Sequence, residues 1–361
     1  MRWVKPRAVF DGDTLREDLI VAIEQEIVTE LREVGQLEPG IAVEAKDAVL
    51  APGLFDIQVN GGGGVMLNNN PTREGVRTIA QAHRSVGTAF VLPTVITDRP
   101  DIIESAADAV LAERNKNGVL GIHIEGPHIH PAQKGTHNPE FIRSFDARTL
   151  TLLERLRNHK LPVLLTIAPE LMESGQIAKL VKMGVTVSAG HSTASSEQTE
   201  LALAEGLAGF THLFNGMPQM ASRAPGIVAA ALNSAAFCGI IADGHHVDDR
   251  MVELAFRARP KKDRMVLVSD AMSTIAGPDH FELYGETIHV EGGKLVNAQG
   301  SLAGAHTDLQ SSVLRLVRNV RLSTCDALNA ATTAPRQFMS LPLQSVQGSP
   351  LGELSWLSLP R

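Results

Sequence analysis

The feature that most constrains the fold is a unit that recurs along the chain: a short continuous apolar run, a loop, and then a segment with helical spacing. From Val49 onward about eight such units follow one another. A continuous run of Val, Ile and Leu is typical of a parallel strand buried on both faces, and the helical segment supplies the crossover that consecutive parallel strands need. The predicted strands are residues 54–59, 88–92, 119–124, 163–167, 185–189, 209–213, 237–242 and 265–269.

Eight strand-and-helix units predict an α/β fold, a (β/α)8 barrel of the TIM type, whose active site lies at the C-terminal ends of the strands. Helical spacing is clearest at residues 73–86, 101–116, 176–183 and 195–205. The first 50 residues differ, because short β-like runs alternate there with turn residues. We therefore expect residues 51–335 to form the barrel and residues 1–50 to form part of a smaller β domain.

Composition and charge exclude several classes of protein. With 361 residues, 43% of them hydrophobic, the chain can bury a large core. A formal net charge of -7 with scattered Lys and Arg argues against nucleic-acid binding. The first residues lack the apolar stretch of a signal peptide, and no run approaches the length that spans a membrane. Two cysteines, Cys238 and Cys325, make no disulfide framework, so a cytoplasmic location is expected.

Four of the apolar runs end in side chains that can bind a metal or transfer a proton: Glu125, His191, His212 and Asp270. Because the C-terminal ends of the strands meet at the barrel mouth, we expect these side chains to converge there. One Glu, two His and one Asp delivered in this way resemble a metallohydrolase barrel. Alternation along the first strand points Asp56, Gln58 and Asn60 into the same mouth.

Seven motifs make a more specific resemblance. They are PGLFDIQVNG at residues 52–61, IHIEGP at 122–127, KGTHNP at 134–139, AGHS at 189–192, THLFNGM at 211–217, IADGHHVD at 241–248 and SDA at 269–271. In this order, each at a predicted strand end or in a loop after one, they resemble the N-acetylglucosamine-6-phosphate deacetylase family of the amidohydrolase superfamily. The family's fold implies that the N- and C-terminal segments form one small β-sandwich, to which residues 336–361 return as an apparently shortened segment.

The resemblance implies one divalent metal ion per chain, held by Glu125, His191 and His212. Imidazole and carboxylate both suit Zn²⁺, which is the expected ion, with Fe²⁺ as the alternative. Many amidohydrolases carry His-x-His at the end of the first strand and bind a second metal there, whereas this chain has Gln58-x-Asn60. An amide is a poor substitute for imidazole. The chain therefore resembles the single-metal subgroup, in which the Gln orients metal-bound water.

The remaining site residues are also assigned by resemblance. Asp270 corresponds to the family's general base, which later donates its proton to the departing amine, and His137 to the group that stabilises the oxyanion. The substrate-binding set comprises His137, Asn215, Gly216, Arg223 and His246. In the family the Arg comes from the neighbouring chain, so the resemblance implies a homodimer whose phosphate site is completed by the second copy.

The implied reaction is hydrolysis of the N-acetyl group of N-acetyl-D-glucosamine 6-phosphate to D-glucosamine 6-phosphate and acetate, in amino-sugar catabolism. Two alternatives remain open at this point. One is the same chemistry on another N-acyl sugar phosphate, such as the galactosamine epimer. The other is a barrel that has lost catalysis and serves as an interaction scaffold, against which the intact set Glu125, His191, His212 and Asp270 argues.

Several other polar residues have simpler interpretations. His123 lies two residues before Glu125 and is either a support for the metal ligands or a packed core residue. His128 and His130 are interpreted as solvated loop residues. The glycine run 61–64 lacks the Lys-Ser/Thr that follows a phosphate-binding loop, so a tight turn is the better explanation. Asp308 is given no role.

Overall fold

The computed structural model describes residues 1–298, 300 and 302–360, so that Arg361, the end of the predicted return segment, lies outside the described residues. The chain begins with five strands: β1 Arg2–Phe10, β2 Leu15–Arg16, β3 Leu19–Glu24, β4 Ile27–Glu33 and β5 Val43–Pro52. β1 lies in the middle, antiparallel to β3 and parallel to β5. Alternate side chains such as Val21 and Leu50 form a small separate core.

The next strands are β6 Leu54–Val59, β7 Gly61–Gly62, β8 Val65–Met66, β9 Thr88–Ile96, β10 Ile122–Glu125, β11 Val163–Ile167, β12 Thr186–Ala189, β13 Gly209–Phe210, β14 Phe237–Ile240 and β15 Met265–Leu267. Eight of them, β6 and β9 to β15, form one parallel sheet in the order of the chain. The sheet closes on itself where Asp270 N donates to Gln58 O at 3.0 Å. The predicted TIM-type barrel is therefore confirmed.

The apolar runs predicted the strands well because the barrel buries both faces of each strand. All nine residues of β9 are buried, for example. The predicted strand 209–213 is shorter in the structure, since β13 ends at Phe210. His212 and Phe214 have positive φ values of 30° and 78°, which an extended strand does not accommodate. The Gly61–Gly64 turn is confirmed, with β7 and β8 forming a hairpin in which Gly63 and Gly64 have positive φ.

Ten helices lie among the described residues: α1 Arg73–Ser85, α2 Pro100–Glu113, α3 Ala147–Asn158, α4 Gln176–Lys182, α5 Ser196–Ala204, α6 Gly226–Asn233, α7 Asp249–Ala258, α8 Leu309–Arg318, α9 Thr324–Ala331 and α10 Thr333–Phe338. Capping side chains set where several of them begin. Ser195 and Gln198 form a reciprocal capping box at α5. Asp308, given no role from the sequence, accepts a hydrogen bond from Ser311 N and caps α8. Within the described residues, no helix is both long and apolar enough to traverse a bilayer.

The last strands are β16 His280–Leu283, β17 Glu286–Glu291, β18 Lys294–Val296 and β19 Leu354–Leu357. β16 to β18 form a small antiparallel sheet that packs through Phe281 and Ile288 on Met66 and Met272, beside the barrel mouth. β19 pairs antiparallel with β5 and so joins the N-terminal sheet. The C-terminal segment therefore returns to the sheet with which the chain begins.

The prediction that His128 is solvated is wrong. The His128 ring is fully buried, and its nitrogens lie 3.1 Å from Arg143 O and 3.1 Å from Thr149 Oγ1. Burial lowers its pKa to about 4, so the ring is neutral and acts as a structural hydrogen-bonding group. The chain folds back over this loop through residues 143–149, a contact that local sequence does not indicate. His130 is half-buried and accepts a hydrogen bond from Ala132 N.

Candidate metal centre

Three buried side chains at the ends of three barrel strands converge on one point. Glu125 is the last residue of β10, His191 follows β12 by two residues, and His212 follows β13 by two residues. Both His residues have positive φ, 48° at His191 and 30° at His212. Residues other than glycine rarely adopt this conformation, and such strain is concentrated at functional sites. The turn at each strand end thus aims the side chain across the barrel mouth.

The ligand atoms of these three residues all lie within 4.8 Å of one another. His191 Nε2 lies 3.2 Å and His212 Nε2 lies 3.0 Å from Glu125 Oε1. The two imidazole nitrogens are themselves 3.0 Å apart. Each of these three buried groups can offer a lone pair at this point, so a cation placed between them would satisfy all three at once.

The proton positions also suit a metal. His191 Nδ1–H donates to Gln133 O at 2.7 Å, so the Nε2 lone pair faces the cluster. Burial opposes ionisation of Glu125, but the proximity of the His191 and His212 imidazoles outweighs it and holds the Glu125 pKa well below its usual range. The carboxylate is thus charged. A set of two imidazoles and one carboxylate, with room for a further ligand, fits a catalytic Zn²⁺ site.

A second carboxylate, Asp270, lies beside the cluster and is held from one side. Its Oδ1 accepts hydrogen bonds from Gln58 Nε2 at 3.0 Å and Asn60 Nδ2 at 2.7 Å. Gln58 Nε2 also contacts both oxygens of Glu125, at 3.1 and 3.2 Å. Burial and then the negative charge of Glu125 raise the Asp270 pKa to about 6. One Asp270 oxygen is therefore fixed by amides, and the pKa of the carboxyl lies above its ordinary range.

His137 lies beside His191, with the ring centroids 4.5 Å apart. Thr97 N–H points at His137 Nδ1 at 3.3 Å, and Thr97 Oγ1 is 2.7 Å from the same nitrogen. Since the backbone N–H can only donate, Nδ1 accepts and the ring proton is on Nε2. Burial, and then the neighbouring His191, hold the His137 pKa well below its usual range. His137 is thus a neutral hydrogen-bond donor.

These groups line one cavity of about 170 Å³ at the barrel mouth. His246 reaches it from the loop after β14, where its Nδ1 lies 2.7 Å from Asp243 Oδ2. Asn215 and Gly216 form another part of the wall. A side chain at Gly216 would meet His191 Nδ1 at 2.9 Å, so only glycine lets the backbone pass this close.

The structure brings most of the predicted site residues together. The cavity is lined by the predicted residues Glu125, His137, His191, His212, Asn215, Gly216, His246 and Asp270. Gln58 lies behind the wall, bonded to both carboxylates, while Arg223 is exposed on a loop and does not line the cavity.

Sequence reasoning missed the roles of Asn60, Thr97 and Asp243. The inward alternation of the first strand gave a signal for Asn60. Thr97 and Asp243 gave none, because their contacts with His137 and His246 depend on loop geometry.

A closed parallel barrel with two imidazoles and a carboxylate at its strand ends, next to a second carboxylate, defines a metal-dependent hydrolase. The amidohydrolase family model matches residues 49–343. The chain belongs to the amidohydrolase family.

Comparison with individual members of the family shows which of them the chain is similar to. The chain is 41% identical to the N-acetylgalactosamine-6-phosphate deacetylase of Shewanella sp. (strain ANA-3) over 81% of this chain and 75% of the relative. It is 31% identical to the N-acetylglucosamine-6-phosphate deacetylase of Haemophilus influenzae, over 95% of this chain and 91% of the relative. The structure of N-acetylglucosamine-6-phosphate deacetylase from Pasteurella multocida superimposes with a TM-score of 0.88 and 26% identity, covering 98% of this chain and 94% of that one.

Proposed function

We propose that this chain hydrolyses the N-acetyl group of N-acetyl-D-glucosamine 6-phosphate, giving D-glucosamine 6-phosphate and acetate, in amino-sugar catabolism. The observation that carries the proposal is the position of Asp270 next to the converging ligands Glu125, His191 and His212. Deacetylases among the relatives supply the substrate class. Zn²⁺ is the proposed ion, one per chain, with Fe²⁺ as the alternative, and the proposed location is the cytoplasm.

Glu125, His191 and His212 would hold the metal, which when bound supplies a Lewis acid that lowers the pKa of water towards neutrality. Asp270 performs the proton transfers. Gln58 and Asn60 occupy its Oδ1, which leaves Oδ2 to take a proton from the attacking water and return it to the departing amine. Burial raises the pKa of this carboxyl above its ordinary value, so the same group can hold the proton and then release it to the amine.

His137 donates from Nε2 to the acetyl oxygen as negative charge develops there. The donor is positioned beforehand by Thr97, so no reorganisation is needed during the reaction. Gln58 fixes the separation of Glu125 and Asp270 through its hydrogen bonds to both. Its amide thus takes the place where other members of the family carry a metal-binding imidazole, in keeping with a single ion.

For the sugar phosphate, His246, Asn215 and Gly216 form the wall of the cavity in this chain. Arg223 is exposed and away from the cavity, which fits a guanidinium that serves the site of a second copy. An Arg side chain can grip a phosphate through two parallel hydrogen bonds. We therefore assign the phosphate site to a homodimer in which each chain lends Arg223 to the other.

The galactosamine epimer is the second candidate substrate, because the relative with 41% identity carries that name. The two candidates are separated by measuring acetate release from both N-acetylhexosamine 6-phosphates, with unphosphorylated N-acetylglucosamine as the control. Faster release from the glucosamine compound supports the proposal, and faster release from its epimer transfers the assignment to that sugar. A metal-loaded protein that releases acetate from neither phosphate would be the inactive scaffold instead.

A further inference from the structure

A continuous line of five buried polar side chains crosses the barrel below the cavity. His123 lies at its centre, with Nδ1 3.2 Å from Thr94 Oγ1 and Nε2 2.8 Å from Thr166 Oγ1. The line continues from Thr166 Oγ1 to Thr211 Oγ1 at 2.7 Å, and from there to Ser188 Oγ at 2.7 Å. All five residues are at least 95% buried. We call them the buried polar line.

The buried polar line joins the strands that carry the reactive groups. His123 lies two residues before Glu125 on β10. Thr211 precedes His212 directly, and Ser188 on β12 lies three residues before His191. At the other end, Val59 N donates to Thr94 Oγ1 at 2.8 Å, and Val59 lies between Gln58 and Asn60. The line therefore includes a residue within three positions of each proposed ligand, and it contacts the backbone between Gln58 and Asn60.

Apolar side chains could fill this part of the barrel interior without the free-energy cost of burying polar groups. The interiors of such barrels are usually packed with Val, Ile and Leu. Buried hydroxyl and imidazole groups are tolerated only when their hydrogen bonds are complete, and a complete network fixes one spacing of the groups that form it. A change in the separation of β10 from β11 would break the contact between His123 and Thr166, so the line resists movements that would spread the ligands.

We propose that His123 is a positioning residue that holds the ligand-bearing strands at metal-binding distance before the ion arrives. It touches neither metal nor substrate and acts through Thr94 and Thr166. The inference rests on the proposed metal-dependent function. Loss of the hydrogen bonds should weaken metal binding by about tenfold or more, the usual effect of removing a group that supports metal ligands.

The test compares Zn²⁺ affinity of apoprotein variants by competition with a chromogenic chelator. His123→Phe keeps a ring of similar size and removes both hydrogen bonds. Ile124→Ala is the matched control, since Ile124 is the next residue on β10, is equally buried and packs in the core away from the buried polar line. Melting temperatures of both variants show how far general destabilisation contributes. We expect weaker Zn²⁺ binding in His123→Phe and affinity within about twofold of wild type in Ile124→Ala.

Thr166→Val removes a different hydroxyl from the buried polar line and leaves His123 in place. It replaces His123→Phe in the test if that variant does not fold. Equal Zn²⁺ affinity in the wild type and in the folded line variants would overturn the inference. Failure of the proposed function looks different, because the wild-type protein would then bind Zn²⁺ without releasing acetate. A loss of affinity in Ile124→Ala equal to that in the line variants would also overturn the positioning role.

Discussion

At the scale of single residues, the chemistry of Asp270 should be visible in the pH profile. Burial and the charge of Glu125 raise its pKa to about 6, and only the ionised form can accept a proton. As pH falls through this value the base is lost, so kcat/KM should fall about tenfold per pH unit on the acid side. A bound cation stabilises the carboxylate, which places this limb at or below about pH 6.

Asp270→Asn should remove the acid limb together with most of the turnover. We expect kcat to fall by roughly 10²–10⁴-fold, the usual contribution of a general base, while Zn²⁺ content stays at one ion per chain. Metal analysis and steady-state kinetics on the same sample check both statements. Near-wild-type turnover in this variant would show that another group takes the proton.

Gly216 should be needed for Zn²⁺ binding because a side chain at this position would displace His191. In Gly216→Ala the new Cβ lies 2.9 Å from His191 Nδ1, where it displaces the ring that donates to Gln133 O. Gly175→Ala is the matched control, because Gly175 also has positive φ but nothing lies within 4 Å of the new atom. Both variants should lose about 1 kcal/mol of stability from backbone strain. Only Gly216→Ala should also lose Zn²⁺ affinity in the chelator assay, and equal affinities would contradict the contact argument.

At the scale of elements, the loop between β14 and α7 should control substrate affinity. Asp243 accepts hydrogen bonds from the backbone N–H groups of His245 and His246 and contacts the His246 ring. Asp243→Asn keeps the size but weakens this anchor, so KM should rise several-fold with a smaller effect on kcat. Asp248→Asn in the same loop is the control, because Asp248 caps α7 at the surface. A KM that rises equally in both variants would mean that the whole loop has become loose.

Elements were easier to predict from sequence than contacts. The barrel strands could be read from their apolar runs, since burial on both faces imposes a pattern that each strand carries by itself. The ends of the strands could not be predicted in this way, because a run of apolar residues gives no sign of a positive φ such as that of His212, just after β13 ends. The hydrogen bond from Asn60 to Asp270 joins residues 210 positions apart, and only closure of the barrel brings them together. The three proposed metal ligands could be picked out because each lies at, or two residues after, the end of a recognisable strand.

At the scale of the whole molecule, the proposed homodimer makes a prediction about mixed chains. Arg223→Ala and Asp270→Asn should each be nearly inactive alone. If Arg223 serves the partner's cavity, a hybrid dimer has one site with an intact Asp270 that receives Arg223 from the Asp270→Asn chain. Its other site lacks both groups. Random exchange of equal amounts makes about half of the dimers hybrid, each with one working site, so about a quarter of wild-type activity should return.

The control mixes Asp270→Asn with Glu125→Gln, two changes within one cavity. Glu125 and Asp270 belong to the same chain's site, so each site of that hybrid keeps one defect and no activity should return. Acetate release is measured after the mixed chains have been refolded together, with the dimer confirmed by light scattering. Recovery in the first mixture and not in the second assigns Arg223 to the neighbouring site. No recovery in either, from a dimer that has exchanged chains, would mean that Arg223 does not serve the neighbouring site, and the proposal of a shared site would fall.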